Sequence, residues 1–214
     1  MSGAVGPVPA PLRAARALRR AVAALAEVMA HVAGWAYVVG AVFVTFDVFA
    51  RAFLGFSSQA TVEVTGYLLA GGISWALAHT LFRRAHIRVD VFVNRLPVAV
   101  RAPLHILALA LLTALGVLFA WSAWELVDES ALFNAHDNSA LRIEMVWPQG
   151  IWAFGLSSFV VACAVLMLEA LLAILASRAA SLDGLLGSRT LEDETEEALE
   201  AVAMAHEGEE ANRP

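Results

Sequence analysis

Four apolar stretches leave this chain little choice of fold. Ala21–Phe49, Val62–Phe82, Leu104–Val127 and Pro148–Ala176 each meet the length of roughly 20 mostly apolar residues that a helix needs to cross a bilayer. The expectation is an all-α membrane protein with four transmembrane helices. Composition agrees: 60% of the 214 residues are hydrophobic and 16% are charged, whereas a soluble domain sits near ~45–50% apolar. The first and fourth stretches are long enough to require tilt or an interfacial start. Pro148 suits the first turn of its helix, where a missing N–H costs nothing.

Arginine placement sets the expected orientation. Every basic residue other than histidine is arginine. Arg13, Arg16, Arg19 and Arg20 precede the first span, Arg83, Arg84, Arg88, Arg95 and Arg101 separate the second from the third, and Arg178, Arg189 and Arg213 follow the fourth. Arg51 and Arg142 remain for the other side, whose longer loop carries Asp128, Glu129, Asp137 and Glu144. The positive-inside rule therefore puts both termini and the 83–101 loop in the cytoplasm. Trp121, Trp124, Phe133, Trp147 and Trp152 gather near the outer interface, as an aromatic belt does. The domain plan that follows is a cytoplasmic segment 1–20, a membrane domain 21–176 and an acidic, partly disordered cytoplasmic tail 177–214.

Ionisable groups within the spans are few, and each is a functional candidate. Asp47 and Arg51 are one turn apart at the outer end of the first span, which reads as a local ion pair or a subunit contact. Glu63 opens the second helix, where a carboxylate suits the positive end of the dipole. Glu125 and Glu169 lie near opposite ends of the third and fourth spans, and Glu27 and His31 are a turn apart on the first. No span carries a carboxylate at its midplane, and no broken-helix pattern marks an ion site. Gly34, Gly40, Gly66, Gly71, Gly72, Gly155, Ser157 and Ser158 allow close helix approach. Cys163 reads as a small buried hydrophobe. Neither a phosphate-binding loop, a zinc-protease motif nor a nucleophile elbow occurs, so no catalytic, metal or cofactor residue is expected, and no nucleic-acid partner.

One segment breaks the apolar pattern: "RRAHIRVDVFVNRLP", Arg83 to Pro97. His86, Arg88 and Asp90 alternate with Ile87, Val89 and Val91, a period of two, but a lone strand has no sheet to join. Val89, Phe92, Val93 and Leu96 fall at i, i+3, i+4 and i+7. The preferred reading is a short amphipathic helix in the cytoplasmic interface between helices 2 and 3, ended by Pro97. Its arginines can meet anionic head groups.

With that loop the chain resembles the small membrane subunit of tripartite ATP-independent periplasmic (TRAP) transporters. Arg51 matches that family's arginine at the end of the first helix, and Glu63 one of the acids opening the second. "RRAHIRVDVFVNRLP" matches its basic turn, H-I-x-V-D and leucine-proline stop, and "WPQG", Trp147 to Gly150, resembles the start of its fourth helix. Ala60 and Val62 stand where the family usually has Trp and a first acid, and Ala76 where it has another small residue. The resemblance implies a non-catalytic scaffold subunit of a sodium-coupled importer of organic acids in a bacterial inner membrane. It implies three partners: a large TRAP membrane subunit, a periplasmic substrate-binding protein and the lipid bilayer. Arg51, Glu63, Arg84, His86, Arg88 and Asp90 become a structural signature at the subunit or lipid interface.

Two other readings stand beside it. His31, His79 and His105 lie near the cytoplasmic ends of their spans, and two on facing helices could ligate a b-type haem in a respiratory membrane anchor. The chain could also be an unrelated four-helix membrane protein with a structural or sensor role.

Overall fold

A computed structural model describes residues 9–56, 58, 60–84, 97–138 and 141–176, together with isolated tail positions 185, 195, 199 and 202. It is a bundle of four helices: α1 (Ala10–Phe49), α2 (Thr61–Phe82), α3 (Val98–Leu132) and α4 (Val146–Leu175). The loop that carries His86, Arg88 and Asp90, and with it the expected interfacial helix, lies outside the described residues, as does almost all of the tail. The bounds expected for the spans are exceeded most by α1 and α3. α1 starts at Ala10, with Pro11 in its first turn, so most of the arginine-rich leader is already helical. α3 begins at Val98 and runs on to Leu132, with Pro97 as its N-cap and Pro103 inside it. Alanine, leucine and arginine are strong helix formers, which is why these helices continue past the apolar stretches that announce them.

α1 does not end at Phe49. A π-helical turn, Ala50–Leu54, carries it on, and Gly55 stops it at φ +72°. That left-handed conformation suits a residue with no Cβ. Phe49 and Phe53 stack across the turn, with ring centroids 5.9 Å apart. The combined element, Ala10–Leu54, is 45 residues long, or ~67 Å at ~1.5 Å per residue.

Among the described residues, three elements are long and apolar enough to cross a membrane: Ala10–Leu54, Pro103–Leu132 and Val146–Leu175. α2 is not among them. Its 22 residues span ~33 Å, but Thr61, Glu63, Thr65, Gly66, Gly71, Gly72 and Ser74 dilute its apolarity.

α4 is the centre of the bundle. It packs against α1, α2 and α3, and the remaining large contact joins α1 to α2. Hydrophobic driving force between helices is weak in lipid, so packing relies on small residues that let backbones approach. Small residues supply much of the buried face of α4, with Ala153, Gly155, Ala162, Cys163, Ala170 and Ala173 set among Leu156, Phe159, Val165, Leu166 and Glu169. Ala26 of α1, Ala78 and Leu81 of α2 and Leu109 of α3 complete one apolar cluster around them. A second joins Ala120, Ala123 and Val127 of α3 to Ala153 and Leu156.

The glycines do unequal work. A Cβ on Gly155 would lie 2.7 Å from the Ser74 carbonyl carbon, and one on Gly72 would lie 2.5 Å from the Tyr37 ring. Gly40 and Gly71 sit under Leu68 and Ile151 at 3.2 and 3.3 Å, while Gly34, Gly66 and Gly150 have open space. Of these glycines, Gly155 is the one whose added Cβ would meet another helix's backbone, that of α2 at Ser74.

Candidate functional site

Among the described residues, the ion pairs of the spans lie toward the two ends of the bundle. At one end α1 delivers Arg16 and Arg19, spaced to share a helix face, to a carboxylate on α4. Arg19 Nε donates to Glu169 Oε2 at 2.7 Å, and Arg16 Nε lies 3.4 Å from Glu169 Oε1. Glu169 is buried among apolar neighbours, where an unpaired charge costs several kcal/mol; the two guanidiniums balance it. Arg84 arrives at the same place from the end of α2. It takes the left-handed conformation, φ +54°, and its N–H donates to the Leu81 carbonyl at 3.1 Å. That conformation costs a residue with a Cβ about 1–2 kcal/mol. Arg16, Arg19, Arg84 and Glu169 together line a cleft of about 390 Å³.

The opposite end is organised by Asp47. It is 2% exposed and serves three partners. Arg51 Nη2 donates to Oδ2 at 3.0 Å across one helical turn, and the Ser58 N–H donates to Oδ1 at 2.5 Å. The Thr61 side chain adds a third bond. The Thr61 N–H donates to the Ser58 carbonyl at 3.4 Å. One carboxylate thus ties the end of α1, the connection after Gly55 and the start of α2. The expected Asp47–Arg51 pair is present, but Arg51 is its exposed member and Ser58 and Thr61 are partners that residue spacing does not disclose. Glu63 lies in the first turn of α2, half-buried, as expected.

Beside it the connection from α3 to α4 folds back on itself. The Asp137 N–H donates to the Ile143 carbonyl at 2.9 Å and the Met145 N–H to the Ala135 carbonyl at 3.0 Å. Tyr67 of α2 clamps this turn by donating its hydroxyl to Asp137 Oδ2 at 2.5 Å. Below it Trp75 Nε1 donates to the Ile151 carbonyl at 2.9 Å, and Trp124 Nε1 to Ser157 Oγ at 2.9 Å. Glycine-lined space between α1, α2 and α4 leaves a largely apolar cavity of about 520 Å³, edged by Tyr67, Gly71, Gly72, Trp75 and Trp147.

Of the six residues expected to form a signature, Arg51 and Glu63 fall at the Asp47 end and Arg84 at the Glu169 end. The structure does not bring these three together. His86, Arg88 and Asp90 lie outside the described residues. Arg16, Arg19 and Glu169 are the site residues that sequence reasoning missed as a group. The signal was available in part, since a carboxylate this deep in an apolar helix needs a cationic partner. Of the histidines, His31 and His79 share an opening with Trp35, and His31 Nδ1 lies 2.8 Å from the Glu27 carbonyl oxygen. His105 is buried on α3, away from both.

A family model described as "Tripartite ATP-independent periplasmic transporters, DctQ component" matches residues 40–173, more than half of the chain. The chain belongs to this family. Comparison with curated proteins and with solved structures returns no match. The matched region starts within α1 and ends within α4, so it takes in the Asp47 end, the close α2–α4 contact and Glu169. A DctQ component is a part of a membrane transporter, in keeping with three helices able to cross a bilayer. The haem-anchor alternative gains no support.

Proposed function

We propose that this DctQ component is the non-catalytic scaffold subunit of a sodium-coupled importer of organic acids. It supports a large membrane subunit and helps to dock the periplasmic substrate-binding protein. The family match over residues 40–173 carries this reading. The proposal includes four spans, with α2 crossing inside the bundle between α1 and α4, and residence in a bacterial inner membrane. Both termini are cytoplasmic in it. Clustering of Arg13, Arg16, Arg19, Arg20, Arg83, Arg84 and Arg101 at one end of the helices supports that orientation, as do Asp128, Glu129 and Glu144 at the other.

The outer face of α1 supports the scaffold role. Trp35, Val39, Val42, Phe46, Phe49 and Phe53 recur every three or four residues and are all exposed. This spacing makes a stripe along one side of the helix, broad enough to seat a helix of the large subunit. The folded connection 133–145, clamped by Tyr67, is the surface offered to the binding protein. In the 83–97 loop, Arg88 and Asp90 hold the segment in place against the large subunit or head groups.

Purification of the tagged chain in mild detergent, with the other transporter subunits co-expressed, tests the assembly. A large hydrophobic subunit is expected to come with it, and recovery of the chain alone would defeat the proposal. Arg88→Glu is expected to lower complex yield or uptake while substrate capture by the soluble protein is unchanged; wild-type yield and uptake would remove the role given to Arg88.

A further inference from the structure

The cavity between α1, α2 and α4 is larger than close-packed helices leave behind. Its volume is about 520 Å³, and small residues make the room: Ala33 and Ala36 on α1, Gly71 and Gly72 on α2. Almost all of the lining is apolar. Such a space holds water poorly, because water finds too few partners there. Left empty, it forfeits contacts of every side chain around it. An apolar occupant answers both.

Depth narrows the choice of occupant. The α2 part of the lining runs from Val64 to Trp75, ~16 Å at ~1.5 Å per residue. One leaflet of a ~30 Å hydrocarbon core is ~15 Å deep. Tyr67 and Trp147 stand toward the shallow end, and such rings mark the head-group level. Val32, Ala33 and Trp75 lie at the deep end. Two bonds fix that level: the Tyr37 hydroxyl donates to the Leu69 carbonyl at 3.3 Å, and Trp75 Nε1 to the Ile151 carbonyl at 2.9 Å. The shallow end also lacks donors. Glu63, one turn above Tyr67, and Gln149, next to Pro148, each carry a side-chain oxygen that is buried without a hydrogen-bond partner. Buried acceptors are normally paired, and a donor from outside the chain completes them. We infer that this cavity holds one acyl chain of an aminophospholipid, with the tail along Gly71 and Gly72 and the ammonium N–H groups on Glu63. A carboxylate takes such a donor in a charge-assisted bond. An apolar side chain from another subunit would fill the space but bring no donor to Glu63. The inference rests on the membrane placement proposed above and not on the importer role.

Native mass spectrometry of the full-length chain, delipidated in detergent, tests this. The probes are phosphatidylethanolamine and phosphatidylcholine of matched acyl chains, the second lacking N–H donors, and glycerophosphoethanolamine, the head group without tails. Phosphatidylethanolamine is expected to bind about 10-fold tighter than phosphatidylcholine, the worth of one hydrogen bond to a charged group. Glu63→Gln is expected to abolish that preference while both lipids still bind. Ala36→Phe, which fills the cavity, is expected to lose both lipids with an equal or higher Tm. Gly34→Phe, in open space on the same helix, is expected to lose neither. Should Ala36→Phe fold poorly, the Glu63→Gln comparison decides alone. Four outcomes would overturn the inference. Equal retention by wild type and a folded Ala36→Phe is annular lipid. A preference that is absent, or that survives Glu63→Gln, removes the ammonium contact. Displacement by glycerophosphoethanolamine leaves the tail no part in binding. Loss of bound lipid when the large subunit is added makes the cavity a protein contact. A chain that binds no lipid yet co-purifies with the large subunit sinks this inference and leaves the scaffold role standing.

Discussion

Substitution of Gly155 by alanine probes the close approach of α2 to α4. The new Cβ would lie 2.7 Å from the carbonyl carbon and 2.7 Å from the Cβ of Ser74, with Ser74 Oγ nearer still. Carbon atoms pack best at about 3.5–4.0 Å, so α2 and α4 must part by roughly 1 Å. A side chain could rotate away, but the Ser74 carbonyl belongs to the α2 backbone. Ser74 is held besides by its hydroxyl, which donates to the Gly71 carbonyl at 2.8 Å. Overpacking of this kind costs about 1–3 kcal/mol, set against the ~1 kcal/mol that alanine gains over glycine in a helix. Gly150→Ala, on the same helix with nothing within 4 Å, carries the propensity gain alone. The expected result is a lower Tm in detergent for Gly155→Ala and an equal or higher Tm for Gly150→Ala. Adding Ser74→Gly to Gly155→Ala should restore only part of the loss, because the carbonyl carbon stays. Equal stability of the two alanine variants would refute the close approach.

Glu169→Gln leaves Arg16 and Arg19 beside a neutral partner; a fully buried pair broken in this way costs about 3–5 kcal/mol, and partial exposure of the arginines lowers the expected loss to about 2 kcal/mol, read as a Tm shift that Arg16→Gln alone does not match. Asp47→Ala strands the Ser58 N–H and costs about 2 kcal/mol, whereas Arg51→Ala costs less than about 1 kcal/mol because that side chain is 66% exposed; equal effects would show that the ion pair, not the backbone tie, matters at this end. Tyr67→Phe releases Asp137 and is expected to speed hydrogen exchange at the Asp137 and Met145 amides without changing exchange in the middle of α4; unchanged protection of those two amides would argue against the clamp.

Much of the fold was legible because the solvent acts on composition. Long apolar runs must be helices in a bilayer, and four such runs became four helices. Helix ends were less legible, since arginine and alanine continue a helix as readily as leucine does. Ala10–Arg20 therefore reads as a charged leader yet folds as the first turns of α1. The π turn at Ala50–Leu54 leaves no periodic mark, and only Gly55 betrays the stop. At the sites, local pairs were readable and distant ones were not. Asp47 and Arg51 follow from their spacing on one helix. Arg19 and Glu169 are 150 residues apart, and nothing in either helix alone says which carboxylate meets which arginine. Likewise Gly155 was visible as a small residue, but so were Gly34 and Gly66, which touch nothing. The difference lies in which face meets α4, and that is a property of the assembled bundle.

That assembly has a mechanical consequence. α2 is bound to its neighbours at three heights: Asp47 meets Ser58 and Thr61 at one end, Tyr67 reaches Asp137 further along, and near mid-helix Ser74 packs against Gly155 while the adjacent Trp75 reaches the Ile151 carbonyl. α1 is tied at both ends, through Asp47 and through the Arg16 and Arg19 contacts with Glu169. A rotation of α2 against α4 would break the Tyr67, Trp75 and Ser74 contacts together, and a tilt of α1 would strand either a buried carboxylate or the Ser58 N–H. Costs of this kind rise at every joint at once, so small displacements find no cheap path. Apolar faces of α1 and α3 remain exposed, which lipid tolerates without penalty; their exposure permits a partner and does not require one. The rigidity is the more telling property. A bundle fastened at both ends and interlocked between them resists internal displacement, as the scaffold role proposed above requires.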